Sequence, residues 1–221
     1  MDNISHTEEN YLKAIFKISE KSDMPASTNA ISSEIKTSAA SVTDMVKRLS
    51  EKDLIHYEKY KGVTLTDEGH RIATHLIRKH RLWEVFLVKE LDFTWDEVHE
   101  IAEQLEHIKS PELVERLDNY LGRPRFDPHG DPIPDAEGNF AVRKQMPLSQ
   151  LAPGESGVIV GVQDHSTTFL RYLDRLSLVL GTPVEVVERF AYDESLEIGL
   201  EGGRRQVLSK KVCQNIFVQK R

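Results

Sequence analysis

The sequence predicts a mainly α-helical protein that ends in a small β-rich part. Three observations carry this. Apolar residues recur at helical spacing through most of residues 7–122. A stretch rich in Pro, Gly and Asp interrupts the pattern over residues 123–157. Five short β-type runs follow within residues 158–221.

The first segment, TEENYLKAIFKISE, places Tyr11, Leu12, Ile15, Phe16 and Ile18 close to helical periodicity; Thr7 followed by Asn10 lacks the acidic half of a capping box but is a candidate cap. Pro25 and the polar residues after it end this unit. Two short helices are expected next, over 28–36 and 39–52, joined at Thr37-Ser38. The run IHYEKYKGVTL alternates Tyr57, Lys59 and Val63, Leu65, which predicts a hairpin turning at Lys61-Gly62. Thr66-Asp67 then opens a longer helix, with a break expected near 81–82. Residues 94–108 and 110–121 read as two more helices. Ser110-Pro111 supplies a cap and a first-turn proline, and Gly122 a stop. The runs GVIVGV, TPVEVVERF, LEIGLEG, RRQVLS and NIFVQK, with one helix at TTFLRYLDRL, suggest a small β-barrel.

Helix, helix, helix, hairpin is the order of a winged helix-turn-helix. The second helix of such a pair enters the major groove. Here its inward face is Val42, Met45, Val46 and Leu49. Its outward face offers Ser38, Ala40, Ser41, Thr43 and Asp44, followed by Lys47 and Arg48. Small hydroxyl residues at a helix start approach phosphates closely. Lys59 and Lys61 on the hairpin add candidate phosphate contacts.

Charge is distributed unevenly. Lys+Arg against Asp+Glu is 13 to 12 over residues 1–81, 7 to 15 over 82–146 and 9 to 9 over 147–221. The middle segment therefore carries the acid. A cation-collecting segment has this make-up, and so does a solvated helix surface. The single cysteine, Cys213, leaves no disulfide framework and no thiolate zinc site. No apolar run approaches a membrane span, and the first ten residues lack a secretory pattern. A cytoplasmic protein is expected, with no membrane partner.

The acidic middle contains EVHEIAEQLEH, residues 97–107. On a helix, His99, Glu103, Glu106 and His107 fall within an arc of about 100°. Val98, Ala102 and Leu105 lie on the inward flank. Upstream, His80 and Glu84 share a face at i, i+4. Imidazole and carboxylate ligands without thiolate suit Mn²⁺, Fe²⁺, Co²⁺ or Zn²⁺.

The stretches RKHRLWEVFL, EVHEIAEQLEH and FDPHGDPIP behind a helix-turn-helix resemble the diphtheria-toxin-repressor family of metal-activated transcriptional repressors. The resemblance covers essentially the whole chain. It implies a winged helix-turn-helix domain over 1–75, and a helical dimerisation and metal-binding domain with its linker over 76–146. An SH3-like β-barrel over 147–221 completes the set. It implies a regulatory site of Asn10, Glu103, Glu106 and His107, and a second site of His80, Glu84 and His99. In the manganese branch, His80 instead joins Glu103 and Glu106. Iron-type members carry cysteine at position 103 and methionine at 10; manganese-type members carry glutamate and aspartate. Glu103 and the hard donor Asn10 lean to Mn²⁺, with Fe²⁺ as the alternative. Lys13 stands where a manganese-branch member has a glutamate ligand, which departs from a two-ion cluster. Asp164 and His165 are candidate further ligands from the C-terminal part, as are the linker residues Asp127 and His129. The implied partners are a second copy of the chain and a palindromic double-stranded operator. The rival from another class is a metal-dependent hydrolase, which would leave the helix-turn-helix unexplained. A winged-helix regulator of small molecules is a further rival, with the His/Glu stripe structural.

Overall fold

A computed structural model describes residues 4–22, 24–58 and 61–221. The chain divides into two compact units. The first comprises residues 1–83, 103–116 and 134–140; the second comprises 84–102, 117–133 and 141–221.

The first unit opens with α1 (His6–Ser22), α2 (Thr28–Ile35) and α3 (Ala39–Glu51). The hairpin β1 (Ile55–Glu58) and β2 (Gly62–Leu65) follows. Thr7 lies inside α1 and does not cap it. The cap is Ser5, whose hydroxyl accepts from Glu8 N–H at 3.2 Å while the Glu8 carboxylate accepts from Ser5 N–H at 2.8 Å. This is a reciprocal capping box. Ser27 and Ser38 cap α2 and α3. Between these helices Lys36 takes a left-handed conformation, φ 56°. The expected inward face of α3 is borne out: Val42, Val46 and Leu49 are fully buried, and Met45 packs against the same core. That core also takes Leu12, Ile15, Ile31, Val63 and Ala73. Ala26 bridges Val63 and so extends the wing.

Next comes α4 (Asp67–Leu91), which runs without the break expected near 81–82. Arg78, Lys79, His80 and Arg81 make a polar run, but none of them interrupts backbone hydrogen bonding as proline would. Thr66 caps α4, accepting from Gly69 N–H at 3.1 Å. Then follow α5 (Val98–Leu105) and α6 (Pro111–Tyr120). α5 is shorter than the 94–108 expected. Glu106 and His107 stand in the turn just beyond it.

Apart from isolated bridges, residues 123–145 hold no helix or strand. The second unit then builds β3 (Met146–Pro147), β4 (Ser156–Val162) and α7 (Thr167–Arg175). After them come β5 (Pro183–Arg189), β6 (Leu196–Gly199), β7 (Arg205–Leu208), α8 (Lys210–Gln214) and β8 (Ile216–Lys220). The strands form one antiparallel sheet in the order β3-β8-β4-β5-β6-β7. Its core gathers Ile159, Val186, Ile198, Leu208, Val218 and the buried Cys213, and Trp95 joins it. β3 and α8 were not expected; two and five residues are too short to show a period. Among the described residues, no helix is long and apolar enough to cross a membrane.

One loop of the second unit is fixed with little room to spare. The Asp127 carboxylate accepts from the N–H groups of His129 and Asp131, at 2.8 and 3.0 Å. Gly130, at φ +90°, brings its backbone against β4, where a Cβ would lie 2.1 Å from the Val160 carbonyl oxygen. Gly130→Ala is therefore expected to lower stability by about 2 kcal/mol. Urea denaturation measures this, and an unchanged midpoint would show that the loop yields.

Candidate metal centres and DNA-facing helix

In the first unit, residues from α1, α4 and the end of α5 meet around one carboxylate. Glu106 is 0 % exposed. Lys13 Nζ lies 2.8 and 2.7 Å from its two oxygens, and 3.2 Å from Glu103 Oε1. His80 Nδ1 lies 2.6 Å from Glu106 Oε2. Burial pushes the Glu106 carboxyl up, but the His80 hydrogen bond and the Lys13 charge outweigh it and hold it below the usual range. His107 stands between two carboxylates: Nδ1 is 2.6 Å from Glu9 Oε2, and Nε2 is 3.8 Å from Glu106 Oε1. Glu103 is half-exposed and Asn10 is exposed. The regulatory set drawn from the sequence is thus gathered at Glu103, Glu106 and His107, with His80 turned to Glu106. Asn10 lies on α1 near Glu9 and Lys13 in sequence.

Glu103, Glu106, His80 and His107 bring carboxylate and imidazole donors together, and the cation they hold in this structure is the Lys13 ammonium. A fully buried carboxylate demands a positive partner, and here the Lys13 ammonium supplies it at hydrogen-bond distance from both acids. The donors are oxygen and imidazole nitrogen, a set that takes Mn²⁺ or Fe²⁺.

In the second unit, Glu84 is buried with Oε1 3.6 Å from His99 Nδ1 and Oε2 3.6 Å from His129 Nδ1. Glu84, Asp127 and His129 each offer a ligand atom within 4.8 Å of the other two. His129 is 1 % exposed, its Nε2 is 2.7 Å from the Trp95 carbonyl oxygen, and its Nδ1 has no hydrogen-bond partner. Burial alone would push the His129 imidazole down, but Glu84, Asp127 and the Trp95 carbonyl raise it to about 9. The negative charge of Glu84 and Asp127 thus favours a cation beside them, either a proton on His129 or a metal ion at Nδ1. His165 stacks on His129 with ring centroids 4.6 Å apart. Asp164 instead accepts from Ser166 N–H at 2.9 Å.

The DNA-facing candidates are on the outer side of α3. Ser38, Ala40, Ser41, Asp44, Lys47 and Arg48 are exposed, and Thr43 is half-buried. The Thr43 hydroxyl donates to the Ala39 carbonyl at 2.9 Å, and Ser38 accepts from Ser41 N–H at 3.2 Å. Lys61 pairs with Glu58 at 2.6 Å on the hairpin surface. Lys59 lies outside the described residues. Elsewhere in the first unit, Glu8 joins Lys52, the residue that ends α3, at 2.7 Å. The first turn of α1 is thereby tied to this helix.

Sequence reasoning missed Glu9 and His6. The signal was their i, i+3, i+7 spacing with Lys13 on α1, and placing the helix start at Thr7 left His6 outside it.

Comparison with known proteins gives a consistent result. Residues 3–63 match the family described as "Iron dependent repressor, N-terminal DNA binding domain". Residues 66–135 match "Iron dependent repressor, metal binding and dimerisation domain", and residues 146–220 match "FeoA domain". A solved "Manganese-dependent transcriptional repressor complex with manganese" is 34 % identical with TM-score 0.86, covering 97 % of this chain and 100 % of that one. The "manganese regulator SloR" is 35 % identical with TM-score 0.74, covering 97 % and 98 %. The "Iron-dependent repressor IdeR" of Mycobacterium leprae (strain TN) is 29 % identical over 167 residues, 72 % of each chain.

Proposed function

The chain belongs to the iron-dependent, diphtheria-toxin-repressor family of metal-dependent transcriptional repressors, and from that premise we infer that it is a manganese-responsive member acting as a homodimer on a palindromic operator. The observation that carries this reading is the carboxylate and imidazole donors that meet at Glu106 around the Lys13 ammonium, with no thiolate among them and with Glu103 as second carboxylate. Glu103, Glu106, His107 and His80 would hold Mn²⁺ or Fe²⁺, with Asn10 as a further hard donor. Glu84, His99, Asp127 and His129 would hold a second ion. When bound, the ion supplies a fixed double positive charge that orders its ligands.

The chain's own residues carry the rest of the mechanism. Glu106 and His107 follow α5, while Asn10 belongs to α1. Drawing both groups onto one centre fixes α1. Through Glu8 and Lys52 it also steadies α3. A dimer then presents two recognition helices about one helical turn apart, ~34 Å, as a palindrome requires. Ser38, Ser41, Thr43, Lys47 and Arg48 meet backbone and base edges, with Ala40 and Asp44 beside them. The wing lysines add phosphate contacts. Metal shifts this equilibrium only through its preference for the DNA-competent arrangement, and DNA tightens metal binding in equal measure.

The test is anaerobic titration of metal-free protein with Mn²⁺ and with Fe²⁺, followed by fluorescence anisotropy on its own promoter fragment. Mn²⁺ is expected to promote DNA binding more strongly than Fe²⁺. An equal or stronger response to Fe²⁺ would place the protein in the iron branch.

A further inference from the structure

The Ser5–Glu8 capping box fixes the first turn of α1, and with it the positions of His6 and Glu9. On that turn the His6 ring lies parallel to His107, with centroids 4.3 Å apart. Glu9 Oε2 lies 2.6 Å from His107 Nδ1. His6, Glu9 and His107 each offer a ligand atom within 4.8 Å of the other two. We propose that these three residues form a metal site of their own, for a divalent ion of the Zn²⁺ and Co²⁺ class. The site deepens the family reading, since His107 is common to it and to the regulatory set.

The donor chemistry argues for a distinct selectivity. Two imidazoles and one carboxylate, with a fourth position left to solvent, make up the three-ligand type of zinc site. Nitrogen-rich sets bind Co²⁺ and Zn²⁺ more tightly than Mn²⁺. The charges argue for the location. Glu103 and Glu106 already hold the Lys13 ammonium, so an ion arriving there displaces a bound cation. Glu9 faces an imidazole instead, and meeting an ion there displaces at most a proton. Access follows from burial: His6 is exposed, while Glu9 and His107 are partly covered. Parallel rings do not aim their lone pairs at one point. The exposed His6 ring turns about its own side-chain bonds to do so, without disturbing the core.

One consequence concerns regulation. A neutral imidazole has one lone pair and one N–H. Ligation through His107 Nδ1 leaves Nε2 protonated and facing Glu106, 3.8 Å away. His107 is then withdrawn as a ligand from the Glu103 and Glu106 set. Ions at the two sites therefore oppose each other.

The test uses the full-length metal-free protein and Co²⁺ as the probe, with Zn²⁺ as competitor. Co²⁺ is expected to give the visible d–d absorption of a low-coordinate ion, removed by Zn²⁺. His6→Ala should weaken binding of both ions by about tenfold or more and lose that absorption. His6 is exposed, so the variant should fold like the parent, as circular dichroism checks. A His6→Ala protein with the parent's spectrum and affinity overturns the proposal. So does a spectrum that Glu103→Gln removes and His6→Ala spares. Failure of the repressor reading looks different: the parent then ignores promoter DNA with every metal, whatever the Co²⁺ spectrum shows.

Discussion

Glu106→Ala is expected to abolish metal-dependent operator binding and to destabilise the protein by about 3–5 kcal/mol. The two effects have one origin. Glu106 is fully buried and accepts from both Lys13 and His80. Truncation leaves a buried ammonium without its main partner, because Glu103, 3.2 Å away, is half-exposed and shared with solvent. It also removes the central carboxylate of the regulatory set. Glu106→Gln separates the effects. The amide keeps the volume and a hydrogen-bond acceptor but removes the charge, so stability should recover in part while the metal response stays lost. Urea denaturation gives the first quantity and anisotropy with added Mn²⁺ the second. An alanine variant that still needed metal to bind its operator would remove Glu106 from the regulatory site.

Some of this site could be read from the chain alone, because its parts obey local rules. Apolar spacing located α1, α2 and α3, and the buried Val42, Val46 and Leu49 lie where periodicity put them. The helical wheel collected His99, Glu103, Glu106 and His107 into one stripe. It could not rank them. Glu106 is completely buried and His99 is exposed. That difference depends on what packs over the end of α5, not on the angle around it. The helix in fact ends at Leu105, so Glu106 and His107 leave the wheel altogether.

The partners were the least accessible part. Lys13 is 93 residues from Glu106 in sequence, and His80 is 26. No local period reports such pairings. The family resemblance implies that Lys13 stands in place of an acidic ligand, but gives no sign that its ammonium sits against both oxygens of Glu106. Asp127 and His129 stand in the sequence as candidate ligands from the linker, with nothing to show which group they face. The close approach of Gly130 to β4 and the two N–H bonds to Asp127 are what hold His129 beside Glu84. Turn chemistry of this kind is set by tertiary contact, which composition does not reveal.

Lys13 is the residue whose replacement is expected to strengthen metal binding. Lys13→Met should tighten Mn²⁺ binding by about tenfold or more, equivalent to about 1.4 kcal/mol. The metal-free variant should meanwhile be less stable by about 3 kcal/mol. In the parent, an incoming ion must compete with an ammonium already placed 2.7 to 3.2 Å from three carboxylate oxygens. Methionine preserves the length and the apolar stem but carries no charge. Glu106 then keeps His80 as its neighbour and lacks a full counter-charge. That deficit weakens the metal-free state, and a divalent ion removes it. Stabilisation by bound ligand grows with the ratio of its concentration to Kd, so added Mn²⁺ should raise the melting temperature of the variant more than that of the parent. Isothermal titration and thermal denaturation, each with and without Mn²⁺, measure both sides of this exchange. If Lys13→Met binds Mn²⁺ no more tightly than the parent, the ammonium does not compete with the metal, and the ion must be held away from Glu103 and Glu106.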